Sequence, residues 1–128
     1  MKVIIPMAGT GNRFVQKGYT DPKPLIQIKG KMIIEYVLDI FNEKDEIIFI
    51  CNKNHIQNTN MKHILKKIRP DCVIKVIDNH KKGPIYTVMP FLDLIKNEED
   101  VMICYCDNPF IWNRNDFFKS IKNNKMDG

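Results

Sequence analysis

No apolar run in this chain approaches the roughly 20 residues that a membrane-spanning helix needs. The start, MKVIIPMAG, carries one lysine and a short apolar stretch before it bends into glycines, unlike a secretory leader. Both absences point to a cytoplasmic chain without a membrane partner. Cysteine spacing suited to zinc or redox chemistry is missing. Cys51, Cys72, Cys104 and Cys106 fall in or beside apolar runs, and the nearest two have C-x-C rather than C-x-x-C spacing. They read as reduced core thiols. The histidines, His55, His63 and His80, do not have metal-ligand spacing. Net charge is +5, from 20 basic and 15 acidic residues. No short segment concentrates it as a nucleic-acid-binding arm would, so no nucleic-acid partner is expected. Internal repeats, low-complexity tracts and linkers are missing too. The 128 residues, 44% of them hydrophobic, suffice for one domain with a core and not for two.

What the chain does have is alternation. Short apolar runs predict strands at 3–7, 46–51, 72–77 and 101–106, and longer amphipathic runs predict helices at 31–42, 55–68, 84–97 and 115–123. Pro84 suits a first helical turn, whereas Pro90 inside the same run should kink or break it. Strand–helix alternation with unbroken apolar strands predicts an α/β, Rossmann-like doubly wound fold: a mainly parallel sheet in the order third, second, first, fourth strand, with flanking helices. The first and fourth strands are then neighbours at the topological switch point, where ligands bind beyond the carboxyl ends. The first strand leads into AGTGNR and the fourth into Asp107. A glycine loop, an arginine and a carboxylate should therefore meet. An apolar strand at the sheet edge would favour self-association, making a homo-oligomer possible.

Gly9 and Gly11 let backbone N–H groups approach an anion closely. Arg13 adds a planar donor fork suited to phosphate oxygens. In TDPKPL, Pro22 and Pro24 hold Lys23 in a stiff segment that presents a fixed cation. Asp107 is a hard oxygen ligand for Mg²⁺, which takes its remaining ligands from water and substrate phosphates. Each feature alone is weak: a glycine pair is often only a turn, and an aspartate after a strand is often only a cap. Their order in one alternating chain carries the signal. A dinucleotide fold needs a third glycine where Phe14 stands and an acidic ribose ligand after the second strand, which ends in Cys51-Asn52. A P-loop motif is absent.

The stretch MKVIIPMAGTGNRF, followed by GYTDPKPLIQIKGKMIIEYVL, resembles the N-terminal signature of the sugar-phosphate nucleotidylyltransferases: A-G-x-G-x-R, then P-K-x-L, then G-K. It is most similar to members from capsule and surface-polysaccharide clusters. The match covers nearly the whole chain and is most specific over residues 3 to 38. The resemblance implies that a phosphorylated small-molecule acceptor attacks the α-phosphate of a nucleoside triphosphate (NTP), that pyrophosphate leaves, and that Mg²⁺ is the cofactor. It implies that Arg13 and Lys23 are catalytic and that the backbone from Ala8 through Gly9, Thr10 and Gly11 to Asn12 cradles nucleotide and phosphates. Asp107 would bind the metal, and Gly83 would pass close to the base. Asp78 stands where some relatives carry glutamine. An ionised carboxylate only accepts hydrogen bonds, so it would favour a base edge with an amino donor, with CTP the expected NTP; otherwise it caps a turn. His80 lies in the same stretch. Full-length relatives continue about as far again, and MDG at the end resembles the D-G opening their next segment. Residues 1–128 are thus expected to form a single nucleotide-binding subdomain without its acceptor-binding part, with weak or no turnover alone. A nucleotide-binding module without chemistry is the alternative.

Overall fold

In the computed structural model, residues 1–96 and 99–124 are described, apart from the side chains of Asn12, Arg13 and residues 122–124. The MDG resemblance falls outside them. Four parallel strands form the main sheet: β1 (Lys2–Met7), β4 (Glu46–Asn52), β5 (Val73–Ile77) and β6 (Val101–Ile103). Their order is β5-β4-β1-β6, the expected third, second, first, fourth. A small antiparallel hairpin, β2 (Gln27–Ile28) and β3 (Lys31–Met32), stands apart. Its turn has positive φ at both Lys29 (51°) and Gly30 (80°), as a type I′ hairpin turn requires. It was not expected, because two-residue strands leave no visible period.

The sheet is buried on both faces because strand side chains alternate. Val3, Ile5, Met7, Ile47, Phe49 and Cys51 point to one face, where Ile34 and Val37 of α2 (Ile33–Leu38) and Met61 and Leu65 of α4 (Met61–Ile68) cover them. Ile4, Ile48 and Ile50 point to the other, beneath Val88 of α5 (Pro84–Val88). Every residue of β1 is buried, as expected for an inner strand of a doubly wound sheet.

Four element boundaries differ from expectation, each for a local reason. The 31–42 helix is only Ile33–Leu38, because Lys31 and Met32 pair with β2 as a strand and the chain leaves the helix in tight turns, with the Ile40 and Phe41 N–H groups bonding Val37 O and Leu38 O. The 55–68 helix is two: α3 (Lys53–Asn58) ends at extended Thr59 (φ −138°), whose hydroxyl donates to His55 O and accepts from the Met61 N–H. Such local hydroxyl bonds compete with helix propagation. The 84–97 helix ends at Val88 and continues as a 3₁₀ segment (Met89–Leu94) containing Pro90, with Phe91 out of helical geometry. The break expected at Pro90 therefore occurs. Strand β6 is shorter than 101–106. After the Cys104 N–H bonds Ile4 O the chain turns away, and Ile103 and Tyr105 are exposed at this sheet edge.

The last helix, α6 (Arg114–Asn124), is fastened by a buried polar cluster. Arg114 donates to both carboxylate oxygens of Asp45 (2.5 and 2.7 Å), and the N-terminal ammonium lies 3.3 Å from the same carboxylate. Among the described residues no helix is long and apolar enough to cross a membrane.

Candidate functional site

At the carboxyl ends of β1 and β6 the sheet opens into a cavity of about 440 Å³. Each wall follows from local chemistry. The first wall is the chain leaving β1: Ala8, Gly9, Thr10 and Gly11. Gly11 has φ 63°, which an L side chain adopts only with strain, and its carbonyl accepts from the Phe14 and Val15 N–H groups to start α1 (Asn12–Val15). The second wall is the 3₁₀ turn Lys23–Leu25. Pro22 initiates it, and Pro24 and Leu25 pin it by burial, so the backbone of Lys23 is fixed by the core and not by its charge. The third is the turn after β6, with Tyr105, Cys106 and Asp107. The fourth runs from His80 to Thr87 through Gly83, whose φ of 90° and ψ of 175° belong to glycine alone.

Lys23 Nζ and Asp107 Oδ2 form an ion pair that ties the second wall to the third. Both side chains are about a third open to solvent, and the ammonium also lies 5.1 Å from the Phe14 ring centre. The neighbouring Cys106 thiol is pushed up to about 12, first by burial and then by the Asp107 charge, with Lys23 opposing. It is therefore a neutral lining group and not a nucleophile. His80 is held at both ring nitrogens. The Lys82 N–H donates to Nδ1 (3.2 Å), which leaves Nε2 as the N–H that faces the Thr87 hydroxyl (3.0 Å). Buried Thr87 in turn donates to Gly83 O (3.3 Å).

Ala8, Gly9, Thr10, Gly11, Lys23, Gly83 and Asp107 thus share one cavity. The backbone of Asn12 and Arg13 follows directly in α1, and their side chains lie outside the described set. Asp78 is not brought to the cavity. Its carboxylate is 85% exposed and pairs with Lys53 Nζ at 3.3 Å. The wall residues Phe14, Lys81, Thr87 and Tyr105 carry no sequence signal, since a lone aromatic or threonine in an amphipathic run reads as packing. Among the described residues no group of three His, Cys, Asp or Glu side chains could hold a metal ion by itself. Asp107 as the one carboxylate of the cavity lining still fits Mg²⁺, whose other ligands are ordinarily phosphate oxygens and waters.

Residues 3–115 match the family model of the MobA-like NTP transferase domain. The chain belongs to this family. Members of the MobA-like family are nucleotidyltransferases. The bifunctional protein GlmU of Thermosipho africanus (strain TCF52B) is 30% identical over 111 residues, 87% of this chain and 22% of that protein. GlmU of Fervidobacterium nodosum is 29% identical over the same shares. The fold is also that of the nucleoside-diphosphate-sugar pyrophosphorylase from Vibrio cholerae RC9 (TM-score 0.69, 21% identity, covering 91% of this chain and 52% of that one). A UDP-glucose pyrophosphorylase complexed with UDP-glucose is similar to it as well (TM-score 0.68, 21% identity, covering 98% and 54%). The chain therefore spans about a fifth of the length of its curated relatives and about half of the solved ones.

Proposed function

We propose that this nucleotidyltransferase domain binds a nucleoside triphosphate with Mg²⁺ in the cavity and transfers the nucleoside monophosphate to a phosphorylated sugar or similar acceptor. The observation that carries this reading is the meeting of the Gly9–Gly11 loop, Lys23 and Asp107 in one cavity at the switch point between β1 and β6. An acceptor phosphate oxygen forms a bond to the α-phosphorus while the bond to the β-phosphate oxygen breaks, and pyrophosphate carries away the electron pair. Negative charge accumulates along the phosphates, so the roles of the chain are positional and electrostatic. The backbone of the glycine loop approaches the phosphates without side-chain interference. Lys23 and Arg13 balance their charge. Asp107 would hold Mg²⁺, which supplies Lewis-acid stabilisation when bound.

The Lys23–Asp107 pair fits this reading. An NTP with its metal brings an anion for the lysine and a cation for the aspartate, so each charge exchanges one partner for another and neither is left bare. The position of Asp78, against Lys53 and solvent, lends no support to CTP over the other NTPs. Four free thiols agree with a reducing cytoplasm, where NTPs are abundant, and the resemblance to surface-polysaccharide enzymes favours an activated sugar as the product. Isothermal titration with each of the four ribonucleoside triphosphates, with and without Mg²⁺, tests the reading. Binding of at least one, strengthened by Mg²⁺ and weakened by Asp107→Asn, is expected. Absence of binding by all four defeats it.

A further inference from the structure

A buried asparagine ends a strand that is otherwise built of Ile, Phe and Cys. Asn52 is the last residue of β4 and is 1% exposed. An amide placed there must satisfy its hydrogen bonds inside the protein. It satisfies them with three separate segments. The Nδ2 group donates to Ala8 O (3.1 Å) and to Asn79 Oδ1 (3.2 Å), and Oδ1 accepts from the Asn54 N–H (2.8 Å). The orientation of the amide is unambiguous, because a carbonyl can only accept and a backbone N–H can only donate.

The position explains the need. Ladder pairing between β1 and β4 ends at Met7 with Cys51, and pairing between β4 and β5 ends at Asn52 with Ile77. Beyond those residues the chains diverge to make the cavity, and Ala8 O passes the last strand pair. The Asn52 side chain supplies its donor from within the sheet. The same NH₂ group also reaches Asn79, which begins the segment leading to His80 and Gly83 on the fourth wall.

We infer that Asn52 is a positioning residue that sets the spacing between the glycine loop and the 78–83 segment, and through it the affinity of the site for its nucleotide. The structural half of this inference stands alone, and the nucleotide half rests on the proposed function. One amide group holds two walls at once, so its loss should loosen both. A residue that served only to cap α3 would leave both walls unchanged.

Two substitutions separate these roles. In Asn52→Ser the hydroxyl still accepts from the Asn54 N–H, as serine does at helix starts, but is too short to reach Ala8 and Asn79. Asn52→Asp keeps shape and cap and lacks the donor hydrogens. Backbone ¹⁵N order parameters of the free protein provide the first readout. In Asn52→Ser those of Ala8–Gly11 and of 79–83 should fall from the rigid value of about 0.85 toward 0.6, while Ile4 and Ile48 stay rigid. In Asn52→Asp those of Ala8–Gly11 should fall, since the Ala8 carbonyl loses its donor while the Asn79 amide can turn over and donate to the carboxylate. Asn79→Ala should loosen 79–83 alone. The second readout is NTP affinity with Mg²⁺, which should weaken about tenfold in Asn52→Ser, the usual scale for a lost buried donor. Unchanged order parameters of Ala8–Gly11 in both variants, or loosening of one wall only in Asn52→Ser, overturn the inference. Loosened walls with unaltered affinity overturn its nucleotide half. A wild-type chain that binds no NTP defeats the proposed function instead, and the order parameters then decide the spacing role by themselves.

Discussion

Replacing Lys23 with methionine should separate what this residue does for the fold from what it does for the ligand. The lysine is 33% exposed and its partner Asp107 27%, so water screens the ion pair, and such pairs contribute about 0–1 kcal/mol. The Phe14 ring adds a cation–π contact of about 0.5 kcal/mol at this exposure. The turn itself persists, because Pro24 and Leu25 are buried and the Leu25 N–H bonds Pro22 O at 2.8 Å. Methionine also keeps the aliphatic stem. The total loss is therefore about 1 kcal/mol, and the melting temperature should drop by about 3–5 °C for a domain of this size. Ligand binding is a different case. The ammonium is a charge-assisted donor to a phosphate, and such bonds contribute about 1.5–3 kcal/mol, so NTP affinity should fall by about 10- to 150-fold. Differential scanning fluorimetry and titration calorimetry on one preparation give both numbers. A fall in melting temperature beyond about 10 °C would show that the lysine is structural, since no exposed pair costs so much. An NTP affinity unchanged within about twofold would refute the assignment of Lys23 to the phosphates. In a longer chain that turns over, an enzyme should lose rate by more than it loses affinity, whereas a binding module without chemistry has no rate to lose.

Other consequences follow from the same structure. Gly83→Ala places a Cβ in open space but forces alanine into a conformation reserved for glycine, so it should cost about 1–3 kcal/mol through backbone strain alone, measurable by urea denaturation. Burial pushes the Asp45 carboxyl up, but the Arg114 and Asn42 bonds and the N-terminal ammonium outweigh it and hold the group below its ordinary value. A lowered carboxylate stabilises the fold above the ordinary carboxylate range and ceases to do so as acid protonates it in the folded state. Stability should thus stay level from neutral pH to about 5 and fall below about 4, and Asp45→Ala should flatten that acid limb while costing about 3 kcal/mol at pH 7. Burial raises all four cysteine thiols, those of Cys51 and Cys106 to about 12. A thiol-exchange dye at pH 8 should react slowly with the native protein and with four thiols once it is unfolded.

The fold was legible wherever burial is uniform. VIIPM and EIIFIC announce themselves as inner strands because both their faces are covered, and the alternation with helices then leaves little choice of sheet order. Boundaries were less legible where a local bond overrides the period. The Thr59 hydroxyl divides what reads as one helix, and β6 stops where the chain turns away after the Cys104 N–H bonds Ile4 O. In the cavity lining, Gly11, Lys23 and Asp107 were legible because a positive φ or a fixed charge leaves a mark in sequence; Gly9 lines the cavity with neither. Asn52 was not, since its role depends on Ala8 and Asn79, far away in the chain. Asp78 shows the converse: its position in the stretch pointed toward a base, yet its carboxylate faces Lys53 and solvent.

By itself, then, the sequence determined the layered α/β plan and the residue types able to face a phosphate, because those depend on periodicity and on local backbone chemistry. Only the tertiary structure decided which of them meet. Lys23 and Asp107 are 84 residues apart in the chain and touch across one cavity, and Ala8 and Asn79 share a single buried amide. Such contacts depend on where the parallel strands stop pairing and diverge, and strand divergence is set by the packing of the whole sheet and not by any short stretch of residues.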